Sequence, residues 1–184
     1  MTLLILGLIL WIAAHYFKRL MPAQRAAMGD KGKGLVALAI VASLALMIIG
    51  YRTADFIPVW TPPAFFTGIN NLAMILALWV YGSSAAKGAK AWPAYKTRHP
   101  QLLAVKIWAA AHLLVNGDLA SVLLFGGMLV WAVVSVILIN RAEPWVPKTP
   151  GEPKRDVIAV VITLVVYGVI VGIHSALGVS PFPG

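Results

Sequence analysis

The chain has no cysteine among its 184 residues. Disulfides, zinc ribbons, thiolate-ligated haem and the C-x-x-C-H attachment of c-type haem are excluded together. A metal centre is then expected to use nitrogen or oxygen, which brings forward His15, His99, His112 and His174. Charge is scarce too: Asp, Glu, Lys and Arg make up 11% of the residues against 60% that are hydrophobic, whereas about a quarter of a soluble domain is charged. No Gly-x-Ser-x-Gly elbow and no phosphate-cradling glycine loop is present, so nothing points to a hydrolase or a nucleotide-binding enzyme. No internal repeat or low-complexity tract suggests an inverted-repeat transporter.

What is there is a series of long apolar blocks, best satisfied as bilayer-spanning helices because lipid offers backbone groups no partners. The expected fold is an all-α polytopic membrane helix bundle, a single domain over residues 1–184. Its six transmembrane helices are expected at 3–17, 34–51, 64–83, 101–116, 119–139 and 157–177. Most approach the roughly 20 residues that a bilayer demands, and the first and fourth fall short. Lys18 and Arg19 follow the first apolar core instead of preceding it, so this segment reads as a retained span and not a cleaved signal peptide.

The basic residues test this arrangement. Lys18, Arg19, Arg25, Lys31 and Lys33 follow span one; Lys87, Lys90, Lys96, Arg98 and Lys106 lie between spans three and four or at the foot of the fourth; Arg141, Lys148, Lys154 and Arg155 follow span five. Arg52 alone falls on the other side. Since Lys and Arg collect in cytoplasmic loops, six spans with both termini on the outer side are expected. The net charge of +9 is then accounted for by topology and anionic lipid headgroups, with no nucleic acid needed. In the outer loop "RTADFIPVWTPPA", Phe56 and Trp60 suit headgroup level, and "RAEPWVPKTPGEPKRD" reads as an extended inner linker.

Intramembrane polar groups are costly and therefore informative. His112 shares a helical face with Val105, Trp108, Ala109 and Asn116. The run Ala109 to Ala111 leaves little side-chain bulk beside it, so a flat macrocycle can approach; the alternative is a hydrogen bond to a neighbouring helix. Asn116 can cap, pack or support the site, and Asp118 is placed to cap the next helix. His15 shares its face with Trp11 and Arg19 near the end of span one, or is simply an interfacial histidine. At 1.5 Å of rise per residue, His15 lies about 4 to 5 Å from the level of Lys18, and His112 about 9 Å from Lys106 but about 18 Å from Pro100. Depth thus leaves either His15 or His174 open as a partner for His112. His99 before Pro100 suits a helix entry, where Arg98 or His99 can meet an anionic group or water. Asn70 and Asn71 are expected to form hydrogen bonds between helices.

Three stretches carry a resemblance: "AAHYFKR" closing span one, "TRHPQLLAVKIWAAAHLLVNGDLAS" across spans four and five, and "IHSALG" in the last span. The chain resembles the NnrU family of integral membrane proteins and, through it, 15-cis-zeta-carotene isomerase. The isomerase branch implies a b-type haem between two membrane histidines, with an iron-dependent cis-trans isomerisation of a polyene. The W-x-x-x-H histidine falls on His112 and the first-span histidine on His15. The isomerase cysteine three residues before the later histidine falls on Ala109, so exchange to a thiolate ligand is impossible in this chain. The bacterial branch implies residence in the cytoplasmic (inner) membrane and an association with nitrogen-oxide respiration (denitrification).

A haem held by two neutral imidazoles is six-coordinate and suited to electron transfer or sensing. Its propionates would seek Arg19, Arg98 and Lys106. The expectation is therefore a haem b protein with His15 and His112 as iron ligands, His174 as the alternative ligand, and Trp108, Ala109 and Asn116 lining the cofactor. Its partners are the lipid bilayer and either an apolar polyene or a respiratory membrane complex. A haem-dependent isomerase and a haem-free assembly protein are the competing readings.

Overall fold

A computed structural model describes residues 1–85 and 88–182. Lys87, counted above among the inner basic residues, lies outside the described residues. Among the described residues seven α-helices follow one another: α1 (Thr2–Leu20), α2 (Pro22–Ala27), α3 (Gly29–Arg52), α4 (Phe66–Gly82), α5 (Pro100–Val115), α6 (Leu119–Ala142) and α7 (Pro153–Ala176), with one 3-10 turn at Ala94–Lys96. Among the described residues the only β-type pairings are two isolated bridges.

Among the described residues four helices, α1, α3, α6 and α7, are long and apolar enough to cross a membrane. The first is 19 residues long, longer than expected, because Lys18 and Arg19 form its last turn. There basic side chains favour the carbonyl end of the helix and can extend their stems along it. By contrast α4 has 17 residues and α5 has 16, both below the length of a full perpendicular span. The short helix α2 was not foreseen from the sequence; Pro22 opens it, and Gly29 follows with φ 52° in the left-handed region that glycine tolerates. Only 11% of the most apolar stretch of α7 and 17% of that of α3 is buried. Exposed residues such as Val157, Val161, Leu164 and Val165 would make that surface untenable in water, whereas hydrocarbon accommodates it.

The chain divides into two compact units, Met1–Trp60 with Asp118–Gly127 and Thr61–Gly117 with Met128–Gly184. In the first, α1 and α3 pack closely because glycines let their backbones meet. A Cβ added at Gly7 would lie 2.8 Å from the Met47 nitrogen and 2.9 Å from the Ser43 oxygen, and one at Gly50 would strike the backbone of Leu3 and Leu4. This is the small-residue contact by which helices associate when lipid removes the hydrophobic advantage of pairing. Asp118 caps α6 as expected: its carboxylate accepts from the Ser121 N–H at 3.0 Å and the Ser121 hydroxyl at 2.5 Å. Because Ser121 spends its proton on the carboxylate, the Tyr51 hydroxyl donates to Ser121 Oγ, at 2.8 Å.

In the second unit α4 packs against α5 and α7. Asn71 forms a hydrogen bond, but to the Pro181 carbonyl at 2.9 Å in the chain's tail, not to another helix. The linker after α6 has no regular secondary structure over 144–149, and it is pinned. Lys90 N–H donates to Thr149 O, Gly151 N–H to Lys90 O, the Arg155 guanidinium to Ala89 O, and Trp92 N–H to the Asp156 carboxylate at 2.7 Å. Burial first, and the nearby charge of Lys90 second, hold Lys148 below the usual lysine range.

Gly7→Leu is expected to cost about 1 to 3 kcal/mol through overpacking. Gly34→Ala, whose methyl would meet nothing within 4 Å, should instead gain about 0.5 to 1 kcal/mol; thermal unfolding in detergent distinguishes them. Acetylation of Lys148 at mildly alkaline pH, followed by mass spectrometry, should slow in Lys90→Gln, because loss of the neighbouring charge restores its proton affinity.

Candidate functional site

The sequence places its distinctive residues on α5, and that helix begins as expected. His99 is the N-cap and Pro100 occupies the first turn, where its missing N–H costs nothing. His99 Nε2 bonds to the Asn140 side-chain oxygen at 2.8 Å, and the Arg98 guanidinium donates to the Glu143 carbonyl. Both residues therefore secure the helix entry against the end of α6. Twelve residues of helical rise, about 18 Å, separate Pro100 at this entry from the level of His112.

At the far end of α5, His112 is half-buried, with Ala109 fully buried and Ala111 nearly so. Its Nδ1 lies 2.9 Å from the Trp108 carbonyl oxygen. A carbonyl only accepts, so Nδ1 carries the proton and the neutral ring has its lone pair on Nε2. Trp108 also stacks beside the ring, centroids 5.4 Å apart. Asn116 closes the helix: both its backbone N–H and its side-chain amide donate to the His112 carbonyl, at 3.0 and 2.8 Å. Lys106, half-buried, lies six residues earlier on the same helix.

His174 of α7 belongs to the same unit. Its Nδ1 donates to the Ile170 carbonyl at 2.8 Å. The structure thus gathers Trp108, Ala109, His112, Asn116 and His174 within one unit.

His15, in the first unit, has the same local arrangement as His112. Its Nδ1 donates to the Trp11 carbonyl at 2.8 Å, and the two rings are 4.2 Å apart. Arg19 follows one turn on, exposed at the end of α1. The equivalence has a sequence signal that the search for long repeats passes over: Trp11 to His15 reads WIAAH and Trp108 to His112 reads WAAAH. In each, tryptophan's carbonyl orients the imidazole one turn on. Metal-bound histidines characteristically donate their second ring nitrogen to a carbonyl or carboxylate in this way, which fixes the tautomer and raises basicity.

No cluster of three or more His, Cys, Asp or Glu side chains suited to a metal occurs among the described residues. A three-ligand zinc-type centre is therefore not assembled there, while an axial imidazole pair requires no such cluster.

The family profile described as NnrU protein matches residues 3–181, nearly the whole chain. The chain belongs to the NnrU family. No curated protein and no solved structure matches it significantly. Within this NnrU protein, the segment from Arg98 to Ser121 holds the helix entry, the anchored histidine and the cap of α6 in one uninterrupted run.

Nitrogen-15 NMR of histidine-labelled protein near neutral or mildly basic pH should show Nδ1-protonated rings for His15, His112 and His174 and an Nε2-protonated ring for His99. An Nε2-protonated His112 contradicts the anchored geometry.

Proposed function

We propose that this protein is a six-span b-type haem protein of the bacterial cytoplasmic membrane, with both termini outside. Its role is accessory or redox-sensing, linked to nitrogen-oxide respiration. The observation that supports this reading most is the Nδ1 anchoring of the span histidines, which presents Nε2 as the basic atom for iron. With no cysteine in the chain, a thiolate axial ligand is ruled out, and the oriented imidazoles are the donors this reading uses.

His112 is assigned as one ligand. The family resemblance gives the second place to His15; membership of the same compact unit as His112 favours His174. When bound, haem would supply reversible one-electron chemistry. The chain's own residues orient the imidazoles through the Trp108 and equivalent carbonyls and fix the end of α5 through Asn116. Lys106 and Arg98 offer cations for carboxylates on the α5 entry side. α4 and α5, though short, complete the six spans by local thinning of the bilayer.

Protein purified from haem-replete cells should show a Soret band that shifts on reduction. In His112→Ala, haem occupancy should fall at least about tenfold. Loss in His15→Ala with retention in His174→Ala selects the first-span ligand; the opposite pattern selects His174. A colourless wild-type protein rejects the haem reading.

A further inference from the structure

The first unit carries an apolar groove that the histidine chemistry does not use. It has a volume of about 250 Å³ and is lined from α1 by Leu10, Ala14 and Phe17 and from α3 by Leu35, Val36 and Ala39. Met28 closes the end nearest the α2 turn. Both walls run into a cation at that end. On α1 the stripe Leu10–Ala14 continues, four residues on, to Lys18; on α3 Leu35 is four residues from Lys31, which in turn is three from Met28. Lys18 and Lys31 are both exposed.

The surrounding segment adds Arg25, whose guanidinium donates to the Gly29 carbonyl, and Lys33, which is bridged to Asp30 at 2.7 Å. Asp30 is the only acid between residues 18 and 33. An uncharged crevice continuous with a cationic mouth matches a molecule with a hydrocarbon tail and a phosphate head.

We infer that this groove is a binding site for an anionic phospholipid of the surrounding leaflet, one acyl chain lying between α1 and α3 and the phosphate meeting Lys18 and Lys31. The alanines matter, since Ala14 and Ala39 give the chain its width. The charges supply selectivity: a basic side chain near an anionic lipid surface contributes a few-fold in affinity, whereas the groove alone takes any acyl chain. The inference is independent of haem, because none of the iron-ligand histidines lines the groove.

The test uses the full chain purified in neutral detergent, with native mass spectrometry of retained phosphatidylglycerol and of phosphatidylcholine bearing the same acyl chains. Wild-type protein should retain the anionic lipid preferentially. Lys18→Gln with Lys31→Gln should erode that preference by roughly fivefold per lysine while phosphatidylcholine retention stays constant. Ala39→Trp should weaken retention of both lipids. Equal retention of the two lipids by wild-type protein overturns the inference, as does an undiminished preference in the double lysine variant. Preferential retention of an uncharged polyene over phosphatidylglycerol also overturns it. Should Ala39→Trp fail to fold, the exposed lysine pair still decides the matter.

Discussion

In hydrocarbon a polar side chain must find its partner inside the protein, and here the commonest partner is the carbonyl about one turn back on the same helix. Thr163 donates to Ala159, Ser135 to Trp131, Ser83 to Val80 and Ser43 to Ile40. The three span histidines follow the same rule. For a hydroxyl this bond merely removes the cost of burial. For an imidazole it does more, since satisfying one nitrogen determines the chemistry of the other. One economy of the membrane environment thus hides serine and threonine and prepares histidine.

The fold class, the membrane setting and the family were legible in the sequence because they rest on signals that accumulate along the whole chain: apolar run length, scarce charge and the motif around His112. The cap at Asp118 and the helix entry at His99 and Pro100 were legible locally, because each depends on a few neighbouring residues. Boundaries were harder. The span rule stops α1 before Lys18, while the helix continues to Leu20, since long basic side chains can remain helical and still reach water. The extension shows why charge marks the membrane edge better than it marks a helix end.

The pinned linker after α6 lay further from view. Its prolines exclude a continuing helix, but nothing local foretells that Lys90 and Thr149 share a backbone hydrogen bond. The anchored imidazoles were half-visible. WIAAH and WAAAH stand in the sequence, yet their meaning comes from the direction of Nδ1, which five letters do not state. Asn71 illustrates the opposite case: a residue suited to bonding another helix reaches the chain's tail at Pro181 instead.

The glycines of the α1 and α3 crossing bear on how the protein is made. Gly7 offers lipid almost no side-chain contact, so the close-approach point it forms on α1 is filled only by another helix. It acquires its partner only when α3, some thirty residues later in synthesis, follows it into the bilayer. The opening pair is therefore best understood as a helical hairpin whose first limb awaits the second, with the order of emergence from the ribosome matching the order in which the contact can close.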